Sequence, residues 1–205
     1  MTARFKDLVF TPEVLRQQQH GSRKSNAGHA ATSEGSADPL GPREAMFLAA
    51  RDSVYLASNS AIGWPYIQHR GGPPGFIKRL DDRMIGFADY RGNRQYVSLG
   101  NVATDDRVAL FAMDYPGRSR LKLLGRMRPI DLTATPSLAA ALVDASYGAK
   151  VERGFVIAVE AFDWNCPQHI TPRYTQPEVD DLLAPLRARI VELERANAVI
   201  IESQL

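Results

Sequence analysis

The sequence predicts one mainly β domain, an antiparallel barrel or sandwich with helices at its flanks. From Ser53 onward, apolar residues recur with period two or in short runs: "SVYLAS", "WPYIQHR", "FIKRL", "MIGFADY", "QYVSLGN", "RVALFAMDY", "RLKLLGRMRPI" and "GFVIAVEAFDW". The breaks between these runs carry turn residues suited to hairpins. A length of 205 residues with 44% hydrophobic content supports one well-buried core and not comfortably two.

The elements follow in order. Residues 17–41 are dominated by Gly, Ser, Ala and Asn, with almost no large apolar side chain. Residues 1–41 are therefore expected to form a flexible arm that admits a short helix. In "GPREAMFLAARD", Pro42 stands near a helix start, and Met46, Phe47 and Ala50 share a face expected to cap the core. The strands then run through a domain spanning 42–172. "SAIG" before Trp64, "DDR" before Met84 and "DYPGRS" are the hairpin turns, with Pro116 supplying a fixed φ and Gly117 a positive one. "TPSLAAALVDAS" reads as a helix that interrupts the strands and plugs an end of the barrel. Residues 173–205 form a helical tail.

Composition excludes several classes. Basic and acidic residues number 25 and 23, a formal net charge of +2, so there is no global case for nucleic acid. "MTARFKDLVF" holds no signal-peptide core, and no run of about 18 apolar residues occurs. A soluble, cytoplasmic protein is expected. The single cysteine, Cys166, provides neither a disulfide framework nor a multi-cysteine zinc site, and reads as a small buried hydrophobe. His20 and His29 lie in the arm, where they are poor metal ligands, and no metal is expected. Glycine-rich dinucleotide and nucleotide loops are missing.

Strand periodicity places the polar chemistry. In "WPYIQHR", Tyr66, Gln68 and Arg70 share one face, and Ile67 and His69 the other. Taken alone, a half-solvated sheet face accounts for this. The pattern recurs, however: Arg120, Lys122, Leu124 and Arg126 share a face of "RLKLLGRMR", and the loop "ADYRGNRQ" adds Arg91 and Arg94 around a Gly-Asn turn. If these segments neighbour one another, cations and glycine-exposed N–H groups converge on a compact anion, of which phosphate is the usual one. Asn93 and Gln95 add neutral hydrogen bonds.

"PYIQHRGGPPGF", "GFADYRGNRQYVSLGN" and "RVALFAMDYPGRSRLKLLGRMR", in that order, resemble the flavin-binding core of the pyridoxamine 5'-phosphate oxidase-related proteins over roughly residues 42–172. The resemblance implies a split β-barrel that binds FMN at a homodimer interface. It puts the phosphate-binding loop on Tyr90–Gln95, with Arg91 and Arg94 as phosphate partners. The strand along the flavin falls on Gln68, His69 and Arg70, and the family's Gln-Val-Arg segment on Arg120, Leu121 and Lys122. Two departures narrow what is implied. Leu124 stands where the oxidases carry an acidic residue before glycine, and "NCPQHITPRYT" holds His169 and Arg173 at a spacing other than the substrate motif's. The cofactor is implied; vitamin B6 oxidation is not.

A flavin needs its phosphate neutralised, a donor or positive group near its N1 and O2, and an apolar bed. Gln68 and Arg70 suit the polar edge or the ribityl chain, while Gly71 and Gly72 keep the following loop thin and Pro73 and Pro74 stiffen it. Trp164, Asn165, Gln168, His169 and Arg173 follow the last strand and could close over the ring, or simply form a polar strand exit. The expected activity is an FMN-dependent oxidoreductase passing hydride between a nicotinamide or other reduced small-molecule substrate and an acceptor, with His69 and His169 as the candidate acid–base residues. The alternatives are a non-catalytic flavin or haem binding or sensing module, and a nucleic-acid binder, which the lack of a continuous basic stripe disfavours.

In the tail, Leu183, Leu186, Ile190, Leu193, Asn197 and Ile200 step by three and four, as in a coiled-coil seam. Two arrangements stay open: pairing with a partner's tail, or folding back on the barrel. The expectation is a homodimer whose barrels make the main interface and whose tail adds to it. "EVDD" at 178–181 reads as a favourable helix N-terminus with no catalytic role.

Overall fold

The computed structural model describes residues 2–21, 35–164 and 167–202. The chain divides into two units, Met1–Asp114 with Ser119–Pro167, and Tyr115–Arg118 with Gln168–Leu205.

The first unit is built on seven antiparallel strands: β1 (Ser53–Asn59), β2 (Pro65–Gly71), β3 (Lys78–Arg79), β4 (Met84–Tyr90), β5 (Arg107–Asp114), β6 (Ser119–Ile130) and β7 (Val151–Trp164). They lie in the order β2-β1-β5-β6-β7-β4-β3. Alternation drives the curvature: Val54 and Leu56, Leu110 and Ala112, Leu121 and Leu123, and Phe155 and Ile157 all point into one buried core. Phe87 links Phe76 and Phe155, with ring centroids 6.3 and 5.5 Å away. β2 and β4 share no ladder among the described residues, yet Arg70 on β2 ion-pairs with Asp89 on β4. The Arg70 guanidinium also lies 5.5 Å from the Phe155 ring. The sheet thus curls until its two ends meet through side chains rather than main-chain bonds. This is the expected split barrel, mainly β with flanking helices.

The turns also follow the sequence. Gly63 takes φ +88° and donates its N–H to Ser60 O, which registers Asn59 opposite Pro65. Asp81 to Met84 closes the β3–β4 turn. α5 (Pro136–Leu142) packs on β4 and β7, and a Cβ at Gly86 would lie 2.8 Å from Leu142 Cδ2 and 3.0 Å from the Phe155 carbonyl oxygen, so the absence of a side chain there favours this close approach.

Several expectations change. "QYVSLGN" is not a strand: Tyr96 sits in the left-handed region (φ 53°) and α4 (Val97–Val102) follows. The buried residues Ser98, Asn101 and Val102 recur at helical spacing, and the Asn101 amide donates to Ser58 Oγ (3.0 Å) while Ser98 Oγ donates to Gln68 Oε1 (2.9 Å). Tertiary pairing overrides the β preference of Tyr and Val. Asn101→Ala is expected to destabilise the fold by about 1–3 kcal/mol, because it strands the buried Ser58 hydroxyl; urea unfolding measures it. "FIKRL" yields only the two paired residues of β3, with Phe76 and Ile77 spent in the core.

In α3 (Pro42–Ala49), Pro42 stands in the first turn as expected, but the core-facing residues are Leu48 and Phe47, while Met46 is 69% exposed. Glu44 sets that rotation, accepting from Gly41 N–H and from the Trp164 indole N–H (2.7 Å). The expected arm also contributes to the fold. It carries α1 (Ala3–Val9) and α2 (Pro12–Gly21); α1 packs on β7 with Phe5 buried, and Leu40 joins the core. Thr2 Oγ1 and Asp38 N–H bond to Phe162 O and Glu160 O, which ties both ends of the segment to β7.

The second unit holds the turn Tyr115–Arg118 and the helix α6 (Gln176–Glu202). The turn closes with Arg118 N–H donating to Tyr115 O, and the positive φ falls on Arg118 (49°) rather than on Gly117. Pro116 and Gly117 are the central pair of a type I-like turn, and the following residue takes the left-handed conformation that returns the strand. At the start of α6 the Thr175 N–H and hydroxyl both donate to Glu178 Oε2, so the acidic start serves as a cap. No helix among the described residues is long and apolar enough to cross a membrane.

Candidate functional site

Where the ends of the sheet meet, a pocket of about 230 Å³ opens. Tyr66, Gln68 and Arg70 of β2 form one wall, Asp89 and Tyr90 of β4 another, and the loop Gly92–Val97 with Glu152 closes it. The register explains this: Tyr66, Gln68 and Arg70 pair with Ser58, Leu56 and Val54, all inward-facing, so the polar face of β2 points to the inner side of the barrel at its open seam. Ser98 fixes Gln68 through its oxygen, which leaves the amide amine as the donor end. In the loop, Arg94 takes φ 61°, and Asn93 Oδ1 accepts from Gln95 N–H (3.1 Å) in an Asx turn.

Two carboxylates organise four guanidinium groups around this pocket. Glu152 accepts from Arg91 Nε (2.9 Å) and Tyr96 Oη (2.9 Å), and lies 3.7 Å from Arg94 Nε and 3.3 Å from an Arg153 terminal nitrogen. Asp89, nearly buried, faces Arg70 and, at 3.3 Å, Arg153 Nε. Glu152 and Arg153 have no counterpart in the sequence reading, although their place at the start of the β7 run, beside β4, is the signal that could have found them.

The pKa values of the two acids are shifted in opposite directions. Hydrogen bonds from Arg91 and Tyr96 hold the Glu152 carboxyl below the usual carboxylate range. Burial pushes that of Asp89 up, and Arg70 and Arg153 only partly pull it back. A raised folded-state value means the native chain binds this proton more readily than the unfolded chain. The associated stability is present at low pH and is lost as pH rises through the folded value. Unfolding free energies measured from acid to neutral pH should therefore show the wild type losing stability relative to Asp89→Asn as pH rises; an opposite slope would contradict the sign.

The structure brings Gln68, Arg70, Asn93, Arg94 and Gln95 to one pocket, with Arg91 beside it on Glu152. Other predicted site residues lie elsewhere. His69 faces the opposite side of β2, 5.8 Å ring to ring from Tyr55. Arg120 and Lys122 project from the outer face of β6, because Leu121 and Leu123 take the core; Lys122 pairs with Asp163 (2.7 Å) and Arg120 lies 5.7 Å from the Phe111 ring. Arg126 on the same face pairs with Asp106 and Glu160. Within one chain, the expected convergence of the β6 cations with the Arg91–Arg94 loop is not made. Trp164 is engaged by Glu44, by Phe47 edge-on (4.8 Å) and by Arg43 over its face (4.0 Å). Gln168 and His169, the latter at φ 64°, belong to the second unit, as does Arg173, which lies over Tyr115. His29, Asn165 and Cys166 lie outside the described residues. Among the described residues no cluster of His, Cys, Asp and Glu could hold a metal ion.

The model of one protein family, pyridoxamine 5'-phosphate oxidase, matches residues 41–165. The chain belongs to this family. The match covers the barrel and the whole pocket, and leaves α1, α2 and α6 outside. No curated protein matches the chain. Solved structures similar to this pyridoxamine 5'-phosphate oxidase family member include HupZ of Group A Streptococcus, with 13% identity over 66% of this chain and 100% of that one and a TM-score of 0.46. A protein from Clostridium acetobutylicum related to general stress protein 26 shares 12% identity over 65% and 92%, with a TM-score of 0.45. An FMN-binding protein from Syntrophomonas wolfei shares 9% over 60% and 83%, with a TM-score of 0.47.

Proposed function

We propose that this chain binds FMN at the β2–β4 pocket and acts, as a homodimer, as an FMN-dependent oxidoreductase. The observation that carries the reading is the charge balance: four guanidinium groups, of Arg70, Arg91, Arg94 and Arg153, converge on only two carboxylates. The surplus matches a phosphate dianion. The donor set fits in other respects. Arg70 Nε is buried without a hydrogen-bond partner among the described residues, and Gly92 has open space where a side chain would stand, so loop backbone is accessible to an anion.

Arg91 and Arg94 would hold the phosphate, with Glu152 keeping both in place beforehand. Gln68 and Arg70 would bond the ribityl chain or the polar ring edge, and Tyr66 and Tyr90 supply apolar wall. When bound, FMN supplies the hydride chemistry that no side chain provides. The protein's share is to bind, orient and keep water from the site; among the described residues the pocket wall carries no histidine. Its 230 Å³ is below the roughly 300–1,000 Å³ of a pocket that encloses such a ligand, so the ring system needs further walls. A second copy is the proposed source. The outer face of the sheet exposes Ile67 (69%) and Tyr55 (39%) near the cations of β6, an apolar patch suited to a like partner.

Purified protein tests the reading. The expected results are flavin absorbance or stoichiometric uptake of added FMN, reduction by a nicotinamide cofactor, and a dimer mass in solution. Failure to take up FMN overturns the proposal. FMN held tightly but never reduced by any nicotinamide or substrate would instead mark a binding or sensing module.

A further inference from the structure

We infer that α6 is an interaction surface whose partner is the α6 of a second copy of this chain, the two helices running parallel and in register as a short coiled coil. The helix is 27 residues long, and from Asp181 to Val199 every residue is exposed. Among these stand Leu183 (36%), Leu186 (61%), Ile190 (55%) and Leu193 (45%). They step by three and four into a seam, narrower than the stripe that a helix buries against a globular core. A helix left in water gains little from such a stripe, since most helical stability comes from packing an apolar face. Pro185 falls outside the seam, so it removes a helix hydrogen bond without touching the contact surface.

Two features select a like helix in parallel. Asn197 shares its heptad position with Leu183 and Ile190. Its amide is satisfied by its own counterpart, which a parallel in-register pair places directly opposite. An antiparallel pair centred on the same seam sets Asn197 against Leu186 and strands the amide in an apolar layer. The flanking charges agree. With Leu183 and Ile190 on the seam, Arg189 of one chain stands beside Glu194 of the second copy, and the symmetric contact repeats it. Within a single chain Arg189 holds Glu192, three residues on (2.6 Å), an exposed pair that can yield or be shared.

Disulfide trapping in the full-length chain tests this without relying on flavin or on the barrel interface. In a Cys166→Ala background, Leu186→Cys and Asn197→Cys should each form a disulfide-linked dimer at least tenfold faster under mild oxidation than Ala188→Cys, which lies away from the seam. When the two seam variants are mixed, like should link with like. Arg189→Glu should slow linkage at position 186 severalfold, and Arg189→Glu/Glu194→Arg should restore it. A role confined to the pair with Glu192 would not be rescued by changing Glu194. Linkage no faster than Ala188→Cys, preferential 186-to-197 linkage, or absence of rescue each overturns the parallel pair, and circular dichroism confirms that each variant keeps its helix.

Discussion

The Arg91→Ala/Arg94→Ala double variant is expected to bind FMN at least a hundredfold more weakly than the wild type. Each charge-assisted contact to a phosphate contributes about 1.5–3 kcal/mol, and each arginine removed should alone cost tenfold or more. Both side chains lie on the outer side of the pocket, Arg91 at 39% and Arg94 at 59% side-chain exposure, so their loss should leave the barrel folded. Riboflavin, which lacks the phosphate, is the discriminating ligand. Isothermal titration of both ligands should show the double variant losing FMN affinity and largely keeping riboflavin affinity. Equal losses would mean that these arginines do not meet the phosphate.

Arg70→Met should act differently, striking the fold and the site together. Arg70 is 15% exposed and Asp89 7%, and their ion pair closes the seam between β2 and β4. Removing one partner of a buried pair typically costs about 3–5 kcal/mol, because the other charge stays buried with less compensation. Arg153 still faces Asp89 at 3.3 Å, so the lower end of that range is expected. Denaturant unfolding measures the loss. Asp89→Asn added to Arg70→Met should recover part of it, since the uncompensated charge is then gone. A destabilisation that the second substitution does not relieve would place the cost in lost packing against Phe155 instead.

How far the site was legible follows from which residues act locally. The face shared by Tyr66, Gln68 and Arg70 could be read directly, because side-chain alternation along a strand is a local property, and the pairing with Ser58, Leu56 and Val54 keeps it. The turn at Ser60–Gly63 and the helix start at Pro42 were legible for the same reason. Glu152 and Arg153 were not: their contacts with Arg91, Tyr96 and Asp89 bridge some sixty residues and exist only because β7 lies beside β4. α4 escaped notice because "QYVSLGN" carries a strand's composition, and its helix depends on Ser98 and Asn101 finding Gln68 and Ser58 across the barrel.

The sequence by itself determined most of the strands, the Ser60–Gly63 turn, the polar face of β2, the cationic loop and the heptad spacing of the tail, since each rests on spacing within a few residues. Only the tertiary structure decided which cations meet. Because Leu121 and Leu123 are drawn into the core, Arg120 and Lys122 are sent to the outer face, away from the pocket. The β4–β7 pairing instead sets Arg153 opposite Asp89, and the curl of the sheet delivers Arg70 to the same carboxylate. Period two specifies two faces but not which of them closes inward; burial of the larger apolar set makes that choice, and the charges follow it.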